Sequence, residues 1–310
     1  MTRLIPVLVL IAMLLVACRD RHARAPAPNA TPTKPPGGLC RGEPAQQRYQ
    51  HVVWIIMENH QRGDVIGSSD APFETQLAGQ CGTAASYAKV GMPSLPNYLG
   101  ATSGSTHNVS DDAGPSSHPI DADNLFRQVR AAGDQSRTYA EAMPSPCAAS
   151  SSGRYAVKHN PAAYYTGGDD RTACRRDNVP LGAMDASGPG LESDLAAGPG
   201  GLPTFTAIIP DLCNDTHDCG VGTGDAWLSR WVPVIISSQA FANGPSALFI
   251  VWDEPTPMPF IAVAGAIRPG TVAAPAVNHY SLLRTTEEML GLPFLGAAAS
   301  ATDMRSALGL

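Results

Sequence analysis

Three stretches of this chain read as strands buried on both faces, and each ends in a carboxylate. His51-Val52-Val53-Trp54-Ile55-Ile56-Met57 is an unbroken apolar, β-rich run that stops at Glu58-Asn59-His60. Thr204-Phe205-Thr206-Ala207-Ile208-Ile209 stops at Pro210-Asp211, and Ala247-Leu248-Phe249-Ile250-Val251-Trp252 stops at Asp253-Glu254. Continuous rather than alternating hydrophobicity marks strands of a parallel sheet covered by helices. Sheets of that kind hold ligands outside the carboxyl ends of their strands. The pattern predicts an α/β fold with a central, mainly parallel sheet and helices on both faces, its acidic strand ends meeting along one edge.

The remaining segments alternate accordingly. Residues 73–80 read as a short helix, 83–90 as a strand, 124–132 as a helix stopped by Gly133, and 136–140 as a strand. Residues 143–201 are loop-rich and cover one face of the site. Asp225 reads as the N-cap of a long helix over 226–241, 259–267 as a further strand, and Asn278 as the cap of a last helix over 279–290, stopped by Gly291. A length of 310 residues allows one large core, and 30 glycines with 28 prolines point to long loops.

The N-terminus has the form of an export signal. Arg3 precedes an apolar run that ends in Leu15-Val16-Ala17-Cys18, a lipobox pattern with Cys18 as the residue to be lipidated. Cleavage after Ala23-Arg24-Ala25 is one alternative and a transmembrane anchor the other. This divides the chain into a leader over 1–18, a Pro/Ala-rich tether over 19–39 and a catalytic domain over 40–310, outside the cytoplasm as a bacterial membrane lipoprotein or a secreted protein. Without Cys18, six cysteines remain, an even set suited to an oxidising compartment, and six allow 15 pairings. Proximity favours Cys213–Cys219 and Cys147–Cys174, leaving Cys40–Cys81. The absence of a C-x-x-C pair argues against a structural zinc site. A net charge of −6 argues against a nucleic-acid partner.

The chemistry gathers around Pro93-Ser94-Leu95-Pro96-Asn97. Pro96 opens a helix over 96–101 and leaves Ser94 beside its N-terminus, where free N–H groups and the dipole favour an anion. A hydroxyl there can attack phosphorus. Glu58, Asn59, Asp253 and Glu254 are hard oxygen donors suited to a divalent metal ion, calcium, magnesium, manganese or zinc, which lowers the pKa of a coordinated hydroxyl. Asn97 can donate to a phosphate oxygen, His217 can act as general acid, and His107 and His279 are candidate phosphate contacts. Asp211, Asp215 and Asp218, in the loop closed by Cys213 and Cys219, are candidates for a second metal site.

Five motifs in order now carry a resemblance: His51 through His60, Pro93-Ser94-Leu95-Pro96-Asn97-Tyr98-Leu99, Cys213-Asn214-Asp215-Thr216-His217-Asp218-Cys219, Trp252-Asp253-Glu254 and His279-Tyr280-Ser281-Leu282-Leu283-Arg284. From His51 to Pro293 the chain resembles the bacterial phosphoesterase family, which groups secreted acid phosphatases with phospholipases C inside the alkaline-phosphatase-like superfamily. The likeness is greatest to short secreted mycobacterial acid phosphatases that act on phosphatidylinositol 3-phosphate. The resemblance implies an alkaline-phosphatase-like fold, metal binding by Glu58 and Asn59 and by Asp253 and Glu254, a nucleophile at Ser94 and an active-site histidine at His217. Other branches carry Asp-Asp where this chain has Asp253-Glu254.

The expected activity is hydrolysis of phosphate monoesters through a phosphoserine, on a phosphorylated small molecule or lipid, by a monomer held at the membrane through its N-terminal lipid. A phospholipase C-type phosphodiesterase is the alternative, and a metal- or solute-binding lipoprotein the alternative of a different class.

Overall fold

The computed structural model describes residues 38–184 and 188–310, so the expected leader, Cys18 and most of the tether lie outside the described residues. In chain order the described strands are β1 (His51–Met57), β2 (Gly82–Ala84), β3 (Tyr87–Ala88), β4 (Ser136–Ala140), β5 (Asn178–Pro180), β6 (Phe205–Ile209), β7 (Ser246–Trp252), β8 (Phe260–Ala264), β9 (Thr271–Ala273) and β10 (Val277–Asn278). Eight of them form one sheet in the order β5-β4-β6-β1-β7-β8-β2-β9, and β10 and β3 form a separate parallel ribbon.

The three apolar runs became the centre of that sheet. β1 lies between β6 and β7 and is parallel to both, with Val52 opposite Phe205 and Met57 opposite Trp252. The side chains of β6 and β7 are buried throughout, and those of β1 beyond His51. Trp54 packs edge-on against Phe205 with ring centroids 4.9 Å apart, and its indole N–H donates to Thr286 Oγ1 at 3.1 Å. Parallel register therefore delivers the ends of β1, β6 and β7 to one edge, as the runs predict. β8 is the exception in the middle, antiparallel to both β7 and β2.

Two local expectations needed correction. The strand expected over 83–90 is divided: β2 joins the large sheet, and after Ala85-Ser86 the chain crosses to pair β3 with β10. Small side chains at Ala84, Ala85 and Ser86 supply little packing to prolong one strand. Asp225 does not start a helix; it lies inside the Val221–Ser237 helix, and a short separate helix spans Gln239–Ala242. Its carboxylate instead accepts from the N–H groups of Phe73 and Glu74 at 3.3 and 2.8 Å, capping the distant Pro72–Gln80 helix. The last helix follows its local signals, running His279–Leu290 with Asn278 Oδ1 accepting from Ser281 N–H at 3.1 Å and Gly291 at φ 66°.

All three disulfides, Cys40–Cys81, Cys147–Cys174 and Cys213–Cys219, pair as proximity favours. No helix among the described residues is long and apolar enough to cross a membrane.

Candidate active site

Backbone hydrogen bonds lace the three strand ends together. Glu58 N–H donates to the Asp215 carbonyl at 2.8 Å, and Asp253 N–H donates to the Met57 carbonyl at 3.2 Å. Asn59, at φ 52°, turns its N–H toward Asp253 Oδ1 at 3.4 Å, and Glu254 N–H donates to the same oxygen at 2.7 Å. The loop after β6 is held under strain. Thr216 is a β-branched residue at φ 79°, which costs on the order of 1–3 kcal/mol and persists only where its surroundings impose it. Its hydroxyl donates to the Glu58 carbonyl at 2.9 Å, and the Cys213–Cys219 bridge closes the loop. Gly224 admits this close packing, since a Cβ there would stand 2.4 Å from Thr216 Cγ2.

Ser94 is the first residue of the Ser94–Ser103 helix, whose N-cap is Pro93. The helix thus starts two residues earlier than expected, and Pro96 occupies its third position, where a missing N–H still costs nothing. Ser94 is 1% exposed, and its Oγ donates to Glu58 Oε2 at 3.3 Å. One turn on, Tyr98 donates its hydroxyl to Glu58 Oε1. His159 stacks on the Tyr98 ring, 5.4 Å between centroids. Its Nε2 lies 3.2 Å from Glu58 Oε1 and its Nδ1 3.2 Å from Asp215 Oδ2. His217 donates from Nδ1 to Asp218 Oδ1 at 2.7 Å, which leaves Nε2 to accept from Lys158 Nζ at 3.4 Å. Lys158 also donates to Asp112 Oδ2 at 3.0 Å, and Asp112 Oδ1 accepts from Leu95 N–H at 3.0 Å.

The electrostatics are those of a cation site. Burial pushes Glu58 well above the usual carboxylate range, and Asp253 and Asp215 push it further. Asp215 rises to about 7 through burial against the pull of His217 N–H, and Asp253 to about 7 through burial and its neighbour Glu254. Burial raises Glu254 too, opposed by Lys89, whose Nζ lies 4.0 Å from Glu254 Oε2. His159 is held neutral by burial, with Lys158 and His217 adding to that effect. Asp253 Oδ2, Asp215 Oδ2 and His159 Nε2 are buried without a hydrogen-bond partner. Ligand atoms of Glu58, His159 and His217 lie within 4.8 Å of one another. Orphaned buried oxygens beside imidazole nitrogens fit a divalent metal ion, which would neutralise carboxylates that cannot all ionise without it.

The structure gathers Ser94, Glu58, Asp215, Asp253 and His217, with Asn59 and Glu254 beside them. It sets the other candidates apart. His107 lies beyond the far end of the serine helix, its Nε2 2.8 Å from Ser103 Oγ. Ten helical residues, about 15 Å, separate it from Ser94, so it is no phosphate contact here. His279 is buried beneath the site: Nε2–H donates to the Asp253 carbonyl at 2.9 Å, Nδ1 accepts from Tyr87 at 2.9 Å, and burial lowers its pKa to about 4. Both nitrogens are spent on protein, which makes it a support for Asp253. Asn97 Oδ1 accepts from Val90 and Gly91 N–H, each at 2.9 Å, and its amide nitrogen faces the Pro93 carbonyl at 3.5 Å, so its side chain staples the serine turn. Asp211 closes an Asx turn by accepting from Cys213 and Asn214 N–H at 2.9 and 3.0 Å, and Asp218 is exposed behind His217. Of the suggested second metal group only Asp215 reaches the centre.

Sequence reasoning missed Tyr98, Asp112, Lys158 and His159. Tyr98 was legible, because a residue four after Ser94 on a helix shares its face. His159 follows Lys158 on a single short 3₁₀ turn, Val157–His159, in a stretch without periodicity.

The chain is 30% identical over 271 residues to a phosphatidylinositol-3-phosphatase of Mycobacterium tuberculosis, covering 84% of this chain and 83% of that one. It is 26% identical over 264 residues to an acid phosphatase of Aspergillus fumigatus, covering 79% of this chain and 55% of that relative, so it spans about half the fungal protein. Its fold is similar to a Vibrio parahaemolyticus protein of the alkaline phosphatase superfamily, with TM-score 0.51, 11% identity and 85% and 72% of the two chains covered. It is similar also to the lipoteichoic acid synthase LtaP of Listeria monocytogenes, with TM-score 0.54, 12% identity and 86% and 77% covered. The fold is alkaline-phosphatase-like, as expected. Residues 67–257 match the Phosphoesterase family, and the chain belongs to that family.

Proposed function

We propose that this protein is a metal-assisted phosphomonoesterase that works outside the cytoplasm and passes the phosphoryl group through Ser94. The observation that carries the reading is Ser94 Oγ donating to Glu58 Oε2 at 3.3 Å, at the N-terminus of a helix and among buried carboxylates. Glu58 Oε2, which accepts the Ser94 hydroxyl, takes the serine proton as Oγ attacks phosphorus and the ester P–O bond breaks. His217, once protonated at Nε2 as well as Nδ1, gives the Nε2 proton to the departing alkoxide. Water then attacks the phosphoserine and gives its proton to His217, and the serine oxygen leaves with the proton returned from Glu58. A divalent metal ion held by Glu58, Asp253 and His159 would supply charge neutralisation for the phosphoryl oxygens.

The name of the Mycobacterium tuberculosis relative supports phosphatidylinositol 3-phosphate as a substrate. Three disulfides suit an oxidising compartment, and a lipid on Cys18 would hold the enzyme at a membrane surface. Rates on p-nitrophenyl phosphate and bis-p-nitrophenyl phosphate test the reading. Turnover of the monoester that collapses in Ser94→Ala is expected; turnover of the diester alone would overturn it.

A further inference from the structure

The first backbone N–H groups of a helix are free donors, and Leu95 N–H, directly after Ser94, is one of them. Here it is taken by Asp112 Oδ1 at 3.0 Å. The second oxygen of the same carboxylate accepts from Lys158 Nζ at 3.0 Å, and that ammonium stands 3.4 Å from His217 Nε2. Asp112 thus bridges the serine turn and the lysine, and the lysine reaches the histidine. The two side chains are 27% and 21% exposed, open enough to meet a ligand and covered enough to be ordered. A lysine ammonium carries three donors, of which Asp112 and His217 engage two. Lys158 sits on a single 3₁₀ turn, and Asp112 in the loop after the serine helix.

Resting on the reading of Ser94 as nucleophile, we infer that Lys158 binds a non-bridging oxygen of the phosphoryl group and that Asp112 is its positioning residue. An ammonium on a flexible stem binds a phosphate oxygen well only if something holds it in place. Asp112 does so with one oxygen while fixing the turn that carries Ser94 with the other, so the nucleophile and the cation keep a constant separation. The third lysine donor is then available to the phosphoryl oxygen, between the attacking hydroxyl and the histidine that serves the leaving group.

The test is inorganic phosphate binding by calorimetry to the full chain in the Ser94→Ala background, with kcat and KM on p-nitrophenyl phosphate in the wild-type background. Lys158→Met keeps the aliphatic stem and removes the charge; it should weaken phosphate binding about 10- to 100-fold. Asp112→Asn keeps the shape, should weaken phosphate binding about 3- to 10-fold, and should add little once Lys158 is Met, because it acts through the lysine. Lys158→Arg should recover part of the loss. Melting curves identify any variant that fails to fold, and for Lys158 the arginine variant then decides. Unchanged phosphate affinity in Lys158→Met would overturn the inference, as would independent, additive losses. Tighter phosphate binding in Asp112→Asn would also overturn it, by showing that the carboxylate occupies the phosphate position. Hydrolysis retained in Ser94→Ala would sink the nucleophile assignment alone and leave the phosphate measurement standing.

Discussion

His159 Nε2 lies 3.2 Å from Glu58 Oε1, with both side chains sealed from solvent. The other ring nitrogen faces Asp215 Oδ2 at the same distance. A neutral imidazole has one N–H, so it can satisfy only one of these carboxylates. A cation at the remaining nitrogen resolves the conflict. His159→Ala should therefore lower affinity for a divalent metal about 10- to 100-fold and reduce turnover with it. Metal content of purified protein, and the rise in melting temperature on adding metal, check this: both should be large in wild type and small in the variant.

Tyr98→Phe removes one hydroxyl and keeps the ring stacked on His159. The lost bond to a buried carboxylate is worth about 1.5–3 kcal/mol, so kcat/KM should fall about 10- to 100-fold. The melting temperature should change little, because the packing surface is retained. Steady-state kinetics with a thermal melt separate the two effects.

Asp225→Ala should destabilise the protein by about 1–2 kcal/mol and leave kcat/KM at its wild-type value. The substitution strands the N–H groups of Phe73 and Glu74 in a buried setting. Denaturant unfolding measures the loss. A drop in turnover at full folding would contradict the separation of this cap from the site.

Glu287 gives a pH dependence outside the metal site. Burial raises its carboxyl to about 8, against the pull of Leu295 N–H, which Oε1 accepts at 2.9 Å, and of nearby Arg284; Glu288 and Asp123 push it up further. The folded state then holds a proton that the unfolded state releases near the ordinary glutamate value. Its contribution is complete below that value and is lost as pH rises through about 8. Glu287→Gln keeps an acceptor for Leu295 N–H and should flatten the fall in melting temperature between neutral and mildly alkaline pH.

Local patterning carried much of the fold. Continuous apolar runs identified β1, β6 and β7, and the Asn278 cap and Gly291 stop bounded the last helix. Acidic residues directly after those runs pointed to Glu58 and Asp253, because parallel strands put their ends on one edge. What stayed hidden depends on contacts between distant segments. Asp225 carries a cap signature, but the helix it caps is 151 residues away in sequence. His159 is placed by Asn160 and Asn178, which exchange amide bonds at 3.1 and 2.9 Å, a relation between loop and strand that no periodicity announces. His107 and His279 carried the right chemistry, but His107 lies in a turn beyond the far end of the serine helix and His279 spends both ring nitrogens on protein beneath Asp253.

The most direct measurement is mass spectrometry of acid-quenched enzyme during turnover of p-nitrophenyl phosphate. The account predicts one phosphoryl group on the peptide that carries Ser94, absent in Ser94→Ala, whose turnover falls by several orders of magnitude. Turnover that persists in Ser94→Ala, or a phosphoryl group trapped on another residue, would contradict it.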